Sequence, residues 1–242
     1  MDVIAIIPAR GNSKRIKGKN IASVSGKPLI AWTIESALAS RLVERVIVST
    51  DDPHIGDIAL AHGAEVPFLR PREIAQDDST DFAVYKHATA WYSVETGQLP
   101  YMVAWLRPTS PLRTPNDIDA SIEILERTGA ACVRSVTQVR HHPYWMKTLI
   151  DGQLHPFLPD KTEAIYYQSQ MLPKLYYLNG VIDVVRCDRV NSAGSLFPEP
   201  AAAYETPVDR SIDIDDHFDL ELAVIALSGR GRRTDGPPPI CS

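Results

Sequence analysis

Five cationic side chains lie close together in one short segment near the amino terminus. Residues 9–20 read ARGNSKRIKGKN, a stretch without acidic residues whose cations are Arg10, Lys14, Arg15, Lys17 and Lys19. Its two glycines let backbone N–H groups approach an anion closely, while guanidinium and ammonium groups neutralise anionic oxygens. The segment is predicted to bind a polyphosphate. On composition alone, a solvated basic loop is an equal alternative.

A second cluster of chemically useful side chains lies near the carboxyl terminus, in the sequence SIDIDD of residues 211–216. On a strand, Asp213 and Asp215 would project from one face while the intervening isoleucines filled the other. Two hard oxygen ligands on one face suit Mg²⁺, or alternatively Mn²⁺, held jointly with substrate phosphates. A plain helix cap is the alternative, and it is preferred for Asp216 and Asp219 before a helix over residues 217–227.

Alternating strands and helices must position these two clusters, which predicts an α/β fold with a largely parallel sheet. Residues 3–7 form an apolar, β-branched run that leads directly into the cationic segment, so this segment should lie at the carboxyl edge of the sheet, where ligands bind. Further strands are predicted at 43–49, 66–69, 101–106, 131–136 and 181–185, and helices at 28–40, 55–62, 82–92 and 116–128. Neither a Walker motif nor a dinucleotide fingerprint is present, which disfavours a nicotinamide dehydrogenase.

The string IPARGNSKRIKGKN, residues 7–20, resembles the opening motif of the acylneuraminate cytidylyltransferases, which make CMP-sialic acid and related CMP-nonulosonic acids. RPTSPLRT at 107–114, QSQMLPKLYYLNG at 168–180 and DID at 213–215 extend the resemblance over most of the chain. It implies a Rossmann-like, three-layer nucleotidyltransferase that uses CTP. The implied nucleotide-binding residues are Arg10, Gly11, Ser13, Lys19, Asn20, Arg70, Ser79, Arg107 and Thr109. Arg10, Lys19 and Asp213 are the implied catalytic residues, and Asp213 and Asp215 the implied metal ligands.

The resemblance also implies acceptor-binding residues, namely Gln170, Lys174, Asn179 and Asp183. The chain departs from the family pattern at four positions: Arg107 replaces a glutamine, Ser169 and Tyr177 stand where arginines are usual, and Asp183 replaces an aromatic residue. Missing arginines matter because they would meet the carboxylate of the acceptor. The acceptor is therefore expected to differ from N-acetylneuraminic acid, with a legionaminic-type acid as an example. An octulosonic acid, a phosphonate, and a non-catalytic nucleotide-binding subunit remain alternatives.

Two of these residues also have simpler structural interpretations. Ser79 could cap the helix over 82–92, and Asn179 with Gly180 could form a tight turn before the strand at 181–185. The adjacent residues His141 and His142 are expected in a surface turn rather than a metal site, because neighbouring strand residues face opposite ways.

One domain is predicted over residues 1–228, followed by a disordered tail at 229–242 rich in glycine, arginine and proline. Residues 138–178 are rich in aromatic residues and lack helical periodicity, which predicts an inserted arm that packs on a partner chain. The resemblance assigns homodimerisation and acceptor binding to this arm.

The composition limits the remaining function classes. A net charge of −5 over 242 residues argues against general nucleic-acid binding. Three widely spaced cysteines give neither a disulfide framework nor a metal motif, and no long apolar run occurs. A cytoplasmic protein that does not bind membranes is expected.

Overall fold

A computed structural model describes residues 2–161 and 163–229. Its first strand, β1, directly precedes the cationic segment, as expected. Ten strands are described: β1 Val3–Pro8, β2 Ser23–Val24, β3 Lys27–Pro28, β4 Arg45–Ser49, β5 Met102–Trp105, β6 Cys132–Gln138, β7 Lys147–Ile150, β8 Gln153–Pro156, β9 Tyr176–Arg186 and β10 Ala201–Glu205.

Three of the described helices, α2, α3 and α4, begin at side-chain caps, whereas α1 and α5 begin without one. Asp52 accepts a hydrogen bond from the His54 N–H, and Thr114 forms a reciprocal capping box with Asp117. Six α-helices are described: α1 Leu29–Leu38, α2 Pro53–Ala61, α3 Asp81–Thr96, α4 Pro115–Thr128, α5 Cys187–Ala193 and α6 His217–Gly229. Every predicted helix is therefore present, with small differences at its ends.

The central sheet has six strands in the order β10-β6-β9-β5-β1-β4. β1 pairs in parallel with both β4 and β5, and β10 pairs in parallel with β6. β9 alone runs antiparallel to its two neighbours, β5 and β6. The carboxyl ends of the other five strands therefore meet at one edge, which is the edge that carries the loop after β1.

Two apolar layers cover the sheet because alternate residues of each buried strand face opposite sides. Ala5 and Ile7 of β1 pack with α1, α2 and α4, whereas Ile4 and Ile6 pack with α3 and α5. A third cluster joins α6 to the loop after β1 through Ile16 and residues including Leu29, Leu112 and Ile214. The three-layer α/β expectation is confirmed.

The predicted strand at 66–69 is absent. Glu65 and Leu69 form only isolated bridges, with Ile47 and Thr50 respectively. Pro67 lies between them and has no N–H to donate to a ladder. The segment instead runs beside β4 and delivers Arg70, whose N–H donates to the Thr50 carbonyl.

The alternative of a tight turn at Asn179 and Gly180 is ruled out, since both residues lie inside the long strand β9. Gly180 has a φ of 67°, and the pairing register with β6 shifts between Arg134 and Val136. This is a β-bulge, where glycine adopts a left-handed conformation at little cost. Ser79 likewise does not cap α3: Thr80 does, while the Ser79 hydroxyl accepts from the Gln76 N–H.

The DID segment was expected to be a strand, but residues 211–215 form an extended loop without a strand partner. Its backbone is bound by other loops instead. The Ile214 N–H donates to the Thr109 carbonyl, and the Ile214 carbonyl accepts from the Lys19 ammonium. The predicted alternation of buried and exposed side chains is nevertheless present, although the segment pairs with no strand. Ile214 is buried, while Asp213 and Asp215 are exposed.

The arm contains a small antiparallel hairpin, β7 paired with β8, that the sequence did not predict. Many apolar side chains of the arm are exposed, among them Leu149, Leu154, Phe157 and Tyr167. His142 is buried and its ring contacts the Pro173 carbonyl.

In the described part of the chain, no helix is long and apolar enough to cross a membrane. The predicted tail lies, except for Gly229, outside the described residues.

Candidate active site

A cavity of about 500 Å³ lies at the sheet edge where β1 and β5 end. Of the nine residues predicted to bind the nucleotide, all except Gly11 line this cavity. Asp215 also lines it, whereas Asp213 lies nearby, hydrogen-bonded to Thr109. Residues from four separate stretches of the sequence, 8–20, 70–84, 107–109 and 215, therefore meet at one place.

The loop after β1 is held by a contact from the segment that follows β4 and by a contact within the loop itself. The Gly11 N–H donates to Asp51 Oδ1 at 2.9 Å, and Asn20 Nδ2 donates to the Arg10 carbonyl at 2.9 Å. Gly11 thus supports the loop from behind and does not face the cavity. Asp51 and Asp52, which follow β4, serve as an anchor and a helix cap.

Gly11→Ala is expected to weaken CTP binding at least about tenfold, because the loop must move to admit the new methyl group. An ideal Cβ at Gly11 would lie 2.8 Å from the Asp52 Cβ, which is closer than real Cβ atoms approach. Titration of CTP binding measures the change. Gly229→Ala is the matched control, because a Cβ there meets nothing within 4 Å. Unchanged affinity in Gly11→Ala would show that the loop tolerates displacement.

Acidic side chains neutralise the cations of this loop. Asp77 lies 3.0 Å from Arg10 Nη1 and 2.5 Å from Lys14 Nζ. Hydrogen bonding to Lys14 and the nearby charge of Arg10 lower the pKa of Asp77. Asp215 lies 2.9 Å from Arg15 Nη1 and 3.5 Å from Lys19 Nζ. An incoming polyphosphate would compete with both carboxylates.

Asp77→Asn is expected to lower the KM for CTP a few-fold, because exposed ion pairs are weak individually and a competing anion is removed. Steady-state kinetics at fixed ionic strength provide the measurement. The neighbouring exposed acid gives a matched control, Asp78→Asn, which should leave the KM unchanged. A higher KM in Asp77→Asn would mean that Asp77 orients the cations for the nucleotide instead of competing with it.

Asp213 is open to solvent on one side but crowded by protein on the other. This partial desolvation, and secondarily the charge of Asp215, raises the pKa of the Asp213 carboxyl, while Thr109, Lys19 and Arg107 oppose the change. A carboxylate in this position gains from a nearby cation. Lys19 is suited to hold the site together because its ammonium is bonded to Ile214, between the two aspartates, at 2.7 Å.

Two buried networks support the DID loop, and the sequence did not predict either. Arg210 donates to both carboxylate oxygens of Asp117, at 2.5 and 3.0 Å, and the Tyr204 hydroxyl donates to the same carboxylate at 2.7 Å. Burial alone would raise the pKa of Asp117, yet the hydrogen bonds from Arg210, Tyr204 and Thr114 hold it below its ordinary value. Arg210 thereby ties the DID loop to the start of α4.

The second network uses Asn179, one of the predicted acceptor ligands. Its amide nitrogen donates to Thr206 Oγ1 and to Ser211 Oγ, and its Oδ1 accepts from the Val181 N–H. Asn179 is buried, so these bonds fix the DID loop to the bulge in β9. Gln170 and Lys174 lie exposed on the arm and do not line the cavity. Their acceptor-binding roles stay predictions.

Two buried arginines hold the backbone segments that surround the cavity. Arg70 contacts the Ser49 hydroxyl and carbonyl, and burial lowers its pKa to about 10. Arg113 donates to the Thr33 hydroxyl and to the carbonyls of Val181 and Arg107, and burial lowers its pKa to about 9. Arg113 thus fixes the turn that presents Arg107 and Thr109.

Arg107, the first departure from the expected pattern, lies between two carboxylates. Its Nη1 donates to Asp183 at 2.8 Å and its Nη2 to Asp81 at 2.7 Å. Asp183 accepts a further bond from Arg134 Nε at 3.2 Å. Burial opposes the charge of Arg107, but the two carboxylates raise its pKa above the ordinary value.

The donor set fits a metal that is shared with a ligand, not one held by protein alone. Across residues 2–161 and 163–229, no group of three or more His, Cys, Asp or Glu side chains is arranged to hold a metal ion. Asp213 and Asp215 can supply two hard oxygen ligands beside the cationic loop. Mg²⁺ keeps several waters and commonly takes one or two carboxylates together with substrate phosphates.

Comparison with known proteins agrees with this geometry. The cytidylyltransferase family model matches residues 4–181. The chain is 35% identical to the CMP-N,N'-diacetyllegionaminic acid synthase of Legionella pneumophila over 92% of this chain and 94% of that protein. It is 29% identical to the pseudaminic acid cytidylyltransferase of Campylobacter jejuni over 93% of this chain and 96% of that protein.

Two further matches are informative about length and fold. The chain is 34% identical to the N-acylneuraminate cytidylyltransferase of Escherichia coli O18:K1:H7 over 96% of this chain, and it spans 53% of that longer protein. A solved CMP:2-keto-3-deoxy-manno-octonic acid synthetase complexed with CTP has a TM-score of 0.69 at 16% identity, covering 95% of this chain and all of that one. The last match shows the fold alone. Together with the family match over residues 4–181, the sequence relatives show that this chain belongs to the cytidylyltransferase family.

Proposed function

We propose that the protein transfers CMP from CTP to the anomeric hydroxyl of a nonulosonic acid, giving a CMP-sugar and pyrophosphate. One observation carries the proposal: the cationic loop after β1 and the DID loop face one cavity and are joined directly by Lys19. Relatives that are 29–35% identical over most of the chain are named for legionaminic, neuraminic and pseudaminic acids, which share the nonulosonic acid class.

The cavity residues divide the chemistry by position. Arg10 and Lys19 lie where they can bind the oxygens of the triphosphate and stabilise charge that develops when the bond between the α-phosphorus and the pyrophosphate oxygen breaks. The acceptor hydroxyl oxygen forms the new bond to the α-phosphorus, and its proton leaves to solvent or a nearby base. Arg70, Ser79 and Thr109 would orient the nucleotide for this displacement.

Asp213 and Asp215 are the residues proposed to hold Mg²⁺, with Mn²⁺ as a substitute. When bound, the ion would neutralise phosphate charge and align the reacting groups. Asp215 would exchange its contacts with Arg15 and Lys19 for the ion. Burial raises the pKa of Asp213, and a cation beside that carboxyl would stabilise its ionised form.

A homodimer and a cytoplasmic location complete the proposal. Exposed apolar side chains on the arm, including Leu149, Leu154 and Phe157, favour contact with a second copy of the chain. Sedimentation of wild-type protein and a Leu149→Ser/Leu154→Ser variant tests this, since the variant should be monomeric. The small number of cysteines favours a reducing compartment.

The experiment that tests the function is pyrophosphate release from CTP and Mg²⁺ with a panel of acids. The panel contains legionaminic, N-acetylneuraminic and pseudaminic acids, an octulosonic acid and a phosphonate, with ATP, GTP and UTP as nucleotide controls. Release with one nonulosonic acid, and formation of its CMP-sugar, is the expected result. Release with the octulosonic acid or phosphonate alone would refute the acceptor class, and CTP binding without release under any acid would favour a binding subunit.

A further inference from the structure

Four charged side chains form a continuous chain of ion pairs across four elements of the fold. Asp81 begins α3, Arg107 follows β5, Asp183 lies in β9 and Arg134 in β6. The successive contacts measure 2.7 Å, 2.8 Å and 3.2 Å. The chain contains two cations and two anions, so it adds no net charge to the site.

Only part of this chain is open to a ligand. The side chain of Arg107 is 26% exposed and lines the cavity together with Asp81, whereas that of Asp183 is 1% exposed and does not line it. Both carboxylate oxygens of Asp183 are taken by arginines, one by Arg107 and one by Arg134. Asp183 is therefore engaged by two arginines and lacks the access that direct binding of a sugar acid would need.

We infer that Asp183 is a positioning residue that acts through Arg107. Asp183 fixes one nitrogen of the guanidinium from the centre of the sheet, and Asp81 fixes the other from the start of α3. Since a guanidinium has five N–H donors, donors remain for a ligand in the cavity. The inference rests on the proposed function, and it changes the role of Asp183 from acceptor ligand to support of a cavity residue.

The register of the sheet explains why Asp183 can hold the side chain of Arg107. Asp183 pairs with Trp105 on one side and with Arg134 on the other. Arg107 lies two residues beyond Trp105, so its long side chain reaches back over the strand end to the carboxylate. Arg134 holds the second oxygen and also stacks over Phe197, with 3.9 Å between its guanidinium carbon and the ring centroid. The carboxylate thus has one available orientation.

The test is a double-mutant cycle with Arg107→Ala, Asp183→Asn and the combined variant, read as kcat/KM for pyrophosphate release. Asp183→Asn should lose about 10²-fold, because a small displacement of a binding group can cost that much. The combined variant should be no worse than Arg107→Ala, since residues acting as a unit are non-additive. The inference would be overturned if the loss in the combined variant equalled the product of the two single losses. It would also be overturned if Asp183→Asn kept the wild-type kcat/KM.

Folding is controlled in the same series. The combined variant removes both charges of the Arg107–Asp183 pair, whereas Asp183→Asn leaves Arg107 without that carboxylate. Arg134 faces a neutral partner in both variants, so the Tm of each is measured beside its kinetics. Asp188→Asn is the matched control: it removes the 3.1 Å pair with Arg186 at the opposite edge of the sheet and should keep wild-type kinetics. An Asp183→Asn protein with lowered Tm but unchanged kcat/KM would show a purely structural role and refute positioning.

A second readout works without turnover. CTP should raise the Tm of the wild type, and Arg107→Ala, Asp183→Asn and the combined variant should lose this rise to the same extent. A full CTP-induced rise in Asp183→Asn would overturn the inference. Absence of pyrophosphate release by the wild type would instead refute the proposed function, so the two failures are distinguishable.

Discussion

Asp213→Asn is expected to reduce the rate of pyrophosphate release by about 10³-fold or more, with the protein still folded. The substitution keeps the shape of the side chain but removes the charge proposed to hold Mg²⁺. Asp213 lies in the extended DID loop, within hydrogen-bonding contact of Thr109 and near Lys19 and Arg107. A neutral amide there would leave the phosphate charge without its metal, so added Mg²⁺ should not restore the rate.

The control for this prediction is Asp216→Asn on the same loop. Asp216 and Asp219 bond to each other's backbone N–H groups at the start of α6, and asparagine is an equally good cap. This variant should keep wild-type turnover and Tm. Turnover of Asp213→Asn within a few-fold of wild type, at ordinary Mg²⁺, would remove Asp213 from the mechanism.

Five of the six strands of the central sheet and five of the six α-helices were predictable because each depends on a local pattern of apolar residues and caps; β10 and α5 were not predicted. Residues 3–7, for example, contribute alternate side chains to the apolar layers on both faces of the sheet. Pro53 and Pro115 stand at the first positions of α2 and α4, where proline needs no N–H partner. Local signals failed for residues 66–69 and 211–215, whose extended backbones bond to neighbouring segments without forming ladders.

The motifs of the cavity were visible in the sequence, but the partners of their side chains were not. Arg107 is separated from Asp183 by 76 residues, and Asp117 from Arg210 by 93. Such pairs depend on which strands become neighbours, and no spacing in one chain reveals that. Asp77 was missed for the same reason, although it lies in the acidic stretch that precedes α3.

One consequence concerns the positions that depart from the family pattern. Arg107 and Asp183 were predicted separately, as a nucleotide ligand and an acceptor ligand, yet they contact each other. The cation of Arg107 compensates the charge of Asp183, which is buried, as burial of a charge requires. Ser169 and Tyr177 lie on the exposed arm and in the first residues of β9, and they add no cation there. The acceptor carboxylate must therefore find its donors elsewhere than in the expected arginines.

Lys19→Gln is expected to lower kcat/KM about 10²–10³-fold, since it removes a fixed cation from the place where phosphate charge develops. The Lys19 ammonium lies 2.7 Å from the Ile214 carbonyl and 3.5 Å from Asp215, and its side chain is only 16% exposed. It joins the two loops that form the site, and in the proposed function it would also bind phosphate. Pyrophosphate release at varied CTP and Mg²⁺ measures the loss.

Lys17→Gln provides the matched comparison, because Lys17 is an exposed lysine on the same loop and does not line the cavity. Both variants remove one positive charge, so a general electrostatic effect would lower both activities equally and would weaken with salt. A specific role predicts a large loss in Lys19→Gln alone, which persists at high salt because this ammonium is partly buried beside Ile214. Equal losses of kcat/KM in the two variants would show that the loop attracts phosphate only through its overall positive charge. That result would contradict the role proposed for Lys19.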